Sequence, residues 1–274
     1  DTLLDVRRLS STQLEGYRRD KIDFLVEPGL RIPAFVLVPD GRRRAPGVLF
    51  LHGHGNGGKA EAVAVDGYTR ENNYHRAGAV RLAREGYVVL VPDIRTFGET
   101  GTWSEHVHFS QAMTLYGYSA LGVFLADAIK ALDVLETLDE VDPERIGVTG
   151  VSLGGQLALY LAIADHRVDA AAVQGYLGER RHSALELELD ACQYAPTLGS
   201  ALEIADVALL AAPVPVLYAM GNADPFFRAD EVARAYAQVQ EGYALIGAGD
   251  LCALVTEDVG HEWIHAPVAG WFDT

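Results

Sequence analysis

Six short apolar runs recur along the chain, each separated from the next by a stretch long enough to hold a helix. They are GVLFLH (47–52), YVVLVPD (87–93), RIGVTG (145–150), VDAAAVQG (168–175), PVPVLYAMG (213–221) and LCALVTED (251–258). Such runs lack the alternation of a strand with one wet face, so they must be covered on both sides. That is the situation of strands in a parallel sheet sandwiched between helices. Helical spacing of apolar residues is found in 74–86, which stops at Gly86, and in 119–138, 152–164 and 229–240. Ahead of these, KIDFLVE (21–27) and RIPAFVLVP (31–39) flank Pro28-Gly29 and read as an antiparallel hairpin. The predicted fold class is α/β: a mostly parallel central sheet with helices on both faces and an antiparallel N-terminal hairpin. One domain is expected over residues 1–274. The only sizeable insertion, 176–212, is too short to fold alone and reads as a small lid.

Composition narrows the partners. The 274 residues are 49% apolar and carry a formal net charge of −16. An acidic surface disfavours nucleic acid and anionic membrane, which recruit basic patches. No apolar run is long enough for a membrane span, and no signal peptide is recognised at Asp1. The compartment stays open between the cytoplasm, slightly favoured, and a secreted mature form. Homo-oligomerisation is left open as well. Cys192 and Cys252 form no CxxC pair or disulfide framework and read as two buried thiols.

The stretch GVTGVSLGGQLALYLA (147–162) carries the first chemical signal. A strand ending at Gly150 and a helix starting near Ser152 force a tight turn, and the pattern G-x-S-x-G holds a serine out above such a turn. The helix N-terminus points free N–H groups at the serine, and the Leu153 N–H can stabilise an oxyanion there. A glycine-rich turn with an N-capping serine would look alike over five residues. The rest of the chain decides between them. A serine hydroxyl needs a base, and the base needs an orienting carboxylate. Asp224 lies in MGNADPFF after the fifth parallel run, and His261 in DVGHEW after the last. The order Ser, Asp, His and the position of each at a strand's carboxyl end suit this architecture. Asp224 could instead only turn the chain before Pro225. His265 is a rival base deeper in a terminal helix, and His166 reads as surface. Glu262 should point away from the site and pair in its surroundings.

The second oxyanion donor is expected in HGHGNGG (52–58), from the His54 N–H with Gly53 as the lesser choice. This loop lacks the Gly-Lys-Ser/Thr ending of a phosphate-binding loop. The H-x-H pairs His52/His54 and His106/His108 have metal-ligand spacing, but neither has an evident third ligand. No metal site is predicted, and the second pair is placed in a substrate-facing or solvated loop. Tyr176, Tyr194, Phe226 and Phe227 are candidates for lining a substrate pocket.

LHGHGNGG, VPDIRTFGET, DPERIGVTGVSLGG, LAAPVPVLYAMGNADPFF and GHE together resemble the α/β-hydrolase superfamily over about 24–265. Within it the chain resembles the dienelactone hydrolase-like and acetyl xylan esterase-like branch, as does DACQYAPTLGSALEIADVALLAAP (190–213). The resemblance implies a Ser152–His261–Asp224 triad, an oxyanion hole at His54 and Leu153, and ester hydrolysis with no metal or organic cofactor. Two departures bear on substrate. Cephalosporin-deacetylating acetyl xylan esterases carry RGQ and GxSQG where this chain has Arg95-Thr96-Phe97 and Leu153, although His261-Glu262 is kept. Dienelactone hydrolases proper use a cysteine nucleophile where this chain has Ser152.

The expected function is therefore hydrolysis of small-molecule carboxylic esters by a serine esterase. A small lid favours short acyl groups, acetyl to butyryl. A peptidase or carbon–carbon hydrolase would use the same triad, and a non-catalytic binding protein on this fold is the remaining class.

Overall fold

The computed structural model describes residues 4–187 and 190–272. Its strands are β1 (Val6–Leu14), β2 (Tyr17–Glu27), β3 (Leu30–Pro39), β4 (Ala45–Leu51), β5 (Val88–Pro92), β6 (Val141–Val151), β7 (Ala170–Gln174), β8 (Val216–Gly221) and β9 (Cys252–Glu257). They form one sheet in the order β1-β2-β3-β5-β4-β6-β7-β8-β9. The first four in that order pair antiparallel, and β5 through β9 pair parallel. The predicted hairpin is β2–β3, and all six apolar runs are parallel strands. The sequence reading missed β1, because VRRLSSTQL is exposed along almost its whole length and has no apolar face to reveal it.

The helices are α1 (Lys59–Ala62), α2 (Gly78–Glu85), α3 (Trp103–Leu115), α4 (Ala120–Glu136), α5 (Leu153–Ala164), α6 (Pro196–Gly199), α7 (Ile204–Leu209), α8 (Ala229–Leu245) and α9 (Ala266–Trp271). One core packs α4, α5, α7 and α8 on the sheet, and another packs α1, α2 and α9 on its opposite face. Helix α2 starts four residues later than its apolar spacing suggested. Arg76 and Ala77 are left-handed (φ 51° and 54°), so 74–77 is a turn. Helix α3 was not anticipated; Thr102 and Glu105 cap it reciprocally, with Glu105 N donating to Thr102 Oγ1 and Thr102 N to Glu105 Oε2.

The insertion 176–212 is divided between core and cavity. Ile204, Ala205, Val207 and Ala208 of α7 are buried in the core, whereas Leu187, Asp190 and Gln193 before it line a cavity with Ser152 and His261. No helix among the described residues is long and apolar enough to cross a membrane.

In the order β5-β4-β6 the chain leaves β4 first toward one edge and later toward the other. The carboxyl ends of β4 and β6 thus flank the point where the winding reverses, where open α/β sheets leave a crevice. Leu51 pairs with Gly150 there, and Val151 with Gln174.

Candidate active site

Ser152 follows β6 directly and turns the chain into α5 with φ 63° and ψ −122°. A residue with a Cβ pays roughly 1–3 kcal/mol for such a conformation. Neighbouring bonds hold it: Ser152 N donates to Gln174 O, and Gln156 N to Ser152 O, both at 2.9 Å. At Gly154 a Cβ would run into the Leu51 and His52 carbonyls. Only a glycine there lets α5 seat against the end of β4.

Asp224 and His261 leave the ends of β8 and β9. Asp224 is buried, and its Oδ2 lies 2.7 Å from His261 Nδ1. Its Oδ1 accepts from the Phe226 and Phe227 N–H groups at 2.8 and 3.3 Å. The Asp-Pro turn and the contact with His261 are thus made by one carboxylate, so the two readings of Asp224 are compatible. His261 Nε2 is buried with no hydrogen-bond partner among the described residues. The ring is packed edge-on against Phe226 at 4.8 Å between centroids. Gly175 (φ 57°) lets it approach, since a Cβ there would lie 2.8 Å from His261 Cε1 and 3.5 Å from Ser152 N. Gln174 ties the two loops together: its carbonyl holds Ser152 N, and its Oε1 accepts from Ile264 N at 2.7 Å.

The loop 52–58 is braced by groups that periodicity did not single out. His52 is fully buried, and its Nε2 accepts from Ile94 N at 2.8 Å. The proton therefore sits on Nδ1, which donates to Gly53 O at 2.7 Å. Burial pushes the His52 pKa down to about 4, so the ring stays neutral. Gly53 N donates to His75 Nε2 at 2.9 Å, and the Tyr74 hydroxyl donates to His54 O at 2.7 Å. Burial likewise lowers the His75 pKa. With the Gly53 N–H engaged, the His54 and Leu153 N–H groups are left with no acceptor among the described residues.

Ser152, His54, Phe226, Phe227 and His261 line one cavity of about 470 Å³. Tyr74 and Trp103 complete its wall on one side, and Leu187, Asp190 and Gln193 of the insertion on another. Tyr176 and Tyr194 do not line it. Tyr176 is a core residue packed on Phe227, because the chain turns inward at Gly175, and the Tyr194 hydroxyl donates to Ala184 O at 3.2 Å. His265 pairs with Glu85 at 2.6 Å instead of facing Ser152, and His166 is exposed. Glu262 points away, to Arg76 at 2.5 Å. Tyr74 and His75 were missed because they fell inside a supposed helix. Asn72-Asn73, turn formers just ahead of them, were the available signal.

The H-x-H pairs also differ from expectation. His106 is on α3 and fully buried, not in a solvated loop, while His108 is exposed. The ligand atoms of His54, His106, Asp190 and Cys192 lie within 4.8 Å of one another, so third and fourth donors do exist, supplied by the insertion. Cys192 and Cys252 are both buried and free, as expected.

A model of the dienelactone hydrolase family matches residues 32–244. A protein of Bacillus subtilis (strain 168) named as the hydrolase YtaP is 29% identical over 240 residues, 84% of this chain and 78% of that protein. Among solved structures, one described as an acetyl xylan esterase, from Bacteroides fragilis, superposes with a TM-score of 0.78 at 20% identity. The match covers 92% of this chain and 70% of that one. A glucuronoyl esterase from Solibacter usitatus gives 0.71 at 14% identity, covering 100% and 86%. At these identities the structural likeness is one of fold. With the family match spanning most of the sequence, the chain belongs to the dienelactone hydrolase family and has the α/β-hydrolase fold.

Proposed function

We propose that this ester hydrolase works by a two-step acyl transfer through Ser152, His261 and Asp224, with the His54 and Leu153 N–H groups as its oxyanion hole. The observation that carries this reading is a pair of matched vacancies at one cavity. His261 is fixed by Asp224 through Nδ1 and keeps its buried Nε2 unpartnered beside the Ser152 turn. The His54 and Leu153 N–H groups also have no acceptor among the described residues.

Ser152 Oγ attacks the ester carbonyl while His261 Nε2 takes its proton. The carbonyl oxygen becomes an oxyanion held by the two N–H groups. His261 then returns the proton to the departing alcohol, leaving the acyl group on Ser152. Water, deprotonated by the same nitrogen, attacks the acyl-enzyme and releases the acid. Asp224 holds the tautomer and stabilises the imidazolium.

Short acyl groups suit the walls. Trp103, Leu187, Phe226 and Phe227 are bulky, and Leu187, Asp190 and Gln193 of the insertion line the same cavity. Acetyl xylan and glucuronoyl esterases share the fold, so acetylated sugars are the first natural substrates to screen.

Hydrolysis of p-nitrophenyl acetate, butyrate and octanoate, compared between wild type and Ser152→Ala, tests both parts. Expected are faster turnover of acetate and butyrate than octanoate, and a loss of at least about 10³-fold in the variant. Unchanged turnover in Ser152→Ala would remove the nucleophile assignment. Activity rising steadily with chain length would remove the short-acyl assignment alone. No ester turnover, with Ser152 still labelled by a fluorophosphonate, would move the reaction to amide or carbon–carbon bonds.

A further inference from the structure

We propose that His54, His106, Asp190 and Cys192 bind one divalent transition-metal ion of the zinc class, which fastens the insertion and α3 to the oxyanion loop at the edge of the cavity.

The donors come from three separate parts of the chain. His54 lies after β4, His106 on α3, and Asp190 and Cys192 at the short turn Ala191–Gln193 of the insertion. All four ligand atoms fall within 4.8 Å of one another. His54 Nε2 is 3.1 Å from Cys192 Sγ, and His106 Nε2 is 3.7 Å from Asp190 Oδ2. Four ligands placed tetrahedrally at about 2.0–2.3 Å from an ion are roughly 3.3–3.8 Å apart. Small side-chain shifts therefore suffice to close the shell.

His106 gives a second, independent indication. It is fully buried, yet its Nε2 has no hydrogen-bond partner among the described residues. Its Nδ1 lies 2.8 Å from Thr96 Oγ1, and the Thr96 hydroxyl donates to Arg95 O at 2.5 Å. Thr96 has then spent its proton, so it accepts from His106 Nδ1–H. The remaining lone pair is on Nε2, aimed at Asp190, with no proton to share with a carboxylate. A buried lone pair facing a carboxylate is unfavourable unless a cation stands between them. An outer partner that fixes the tautomer in this way is the usual support of a metal-bound imidazole. Asp190 is likewise divided: Oδ1 accepts from Cys192 N at 3.2 Å, while Oδ2 faces His106.

The donor set selects the ion. Two imidazoles, a thiolate and one carboxylate suit zinc and its neighbours, whereas calcium and magnesium require shells of oxygen. Phe97, Trp103 and Phe124 surround His106, with ring centroids 4.2, 5.5 and 5.9 Å away, and exclude water from that side. Coordination releases the Cys192 thiol proton to solvent and leaves the sulfur as a thiolate ligand. With four protein ligands the site is closed and acts by position. It holds the side chain of His54, whose N–H is the oxyanion donor under the proposed function, together with Asp190 on the cavity wall.

The test is metal binding by the whole chain. Protein stripped with a chelator is dialysed against buffered zinc, and zinc per chain is measured. Wild type and Cys252→Ala should each retain one equivalent. Cys192→Ala and His106→Gln should weaken binding by more than about a hundredfold, and Thr96→Val by roughly 10–100-fold. Cobalt(II) in place of zinc should give a thiolate-to-metal absorption band and intense tetrahedral d–d bands, both absent in Cys192→Ala. Circular dichroism checks folding. If His106→Gln does not fold, Cys192→Ala and the cobalt spectrum decide the matter. No retained zinc in wild type, retention that survives Cys192→Ala, or a cobalt spectrum without the thiolate band would each overturn the proposal.

Discussion

Asp224 illustrates what single residues contribute and how far a sequence exposes them. Its carboxylate orients His261 with one oxygen and holds its own turn with the other. Asp224→Asn preserves the second task, since an amide oxygen also accepts from the Phe226 and Phe227 N–H groups. The amide N–H₂ then faces His261 Nδ1 and imposes the wrong tautomer. The expected result is a fall in kcat of roughly 10⁴-fold with the thermal midpoint nearly unchanged, read by ester kinetics and calorimetry. Ser152, Asp224 and His261 stood out as candidates because each follows a recognisable buried strand in a recognisable order, and the structure brings Asp224 and His261 into contact. Tyr74 and His75 were not, because their work is done on backbone atoms of Gly53 and His54, about twenty residues away in sequence. Asp190, His106 and Cys192 were unreadable as a group for the same reason: only the folded insertion brings them to His54.

At the scale of elements, the strand–turn–helix unit around Ser152 holds its geometry against local preference. The positive φ of Ser152 is tolerated because Gln174 O and Gln156 N grip its backbone and Gly154 lets α5 dock. Removing the Cβ should relieve that strain. Ser152→Gly is expected to be more stable than Ser152→Ala by about 1 kcal/mol in urea denaturation, with both inactive. Equal midpoints would mean that the turn is unstrained. The parallel strands were legible because burial on both faces leaves only apolar residues to choose from. Strand β1 was not, since its exposed residues are free of that demand and its place is set by the backbone ladder to β2. Helix α3 was hidden for a related reason: only His106 and Ser110 are buried on it, so no apolar stripe marks it.

For the molecule as a whole, ion pairs at the ends of elements make stability depend on pH. Arg167 takes Asp165 in a two-pronged contact at 2.9 and 2.6 Å and also reaches Glu136 and Asp133. These hydrogen bonds hold the Asp165 carboxyl below its ordinary value of 3.8. A depressed folded pKa means the unfolded chain binds its proton first as pH falls. The contribution is therefore complete above about pH 4 and is lost as pH drops through the folded value. Asp165→Asn should cost about 1–2 kcal/mol at pH 7. The gap to wild type should narrow progressively as pH falls below the ordinary carboxyl value of 3.8, as followed by urea midpoints at several pH values. A gap that persists at low pH would assign the effect to packing. The crevice where the winding reverses follows from strand order, and Phe226 and Phe227 on its wall were readable in the sequence, whereas Trp103, Leu187, Asp190 and Gln193 were not, because no apolar periodicity marks the segments that carry them. That division has an evolutionary reading. The groups proposed to carry the reaction leave the ends of β6, β8 and β9, whereas Leu187, Asp190 and Gln193 of the cavity wall come from one insertion between β7 and β8. Descendants of such a chain can exchange that insertion and acquire a new diet without relearning the chemistry.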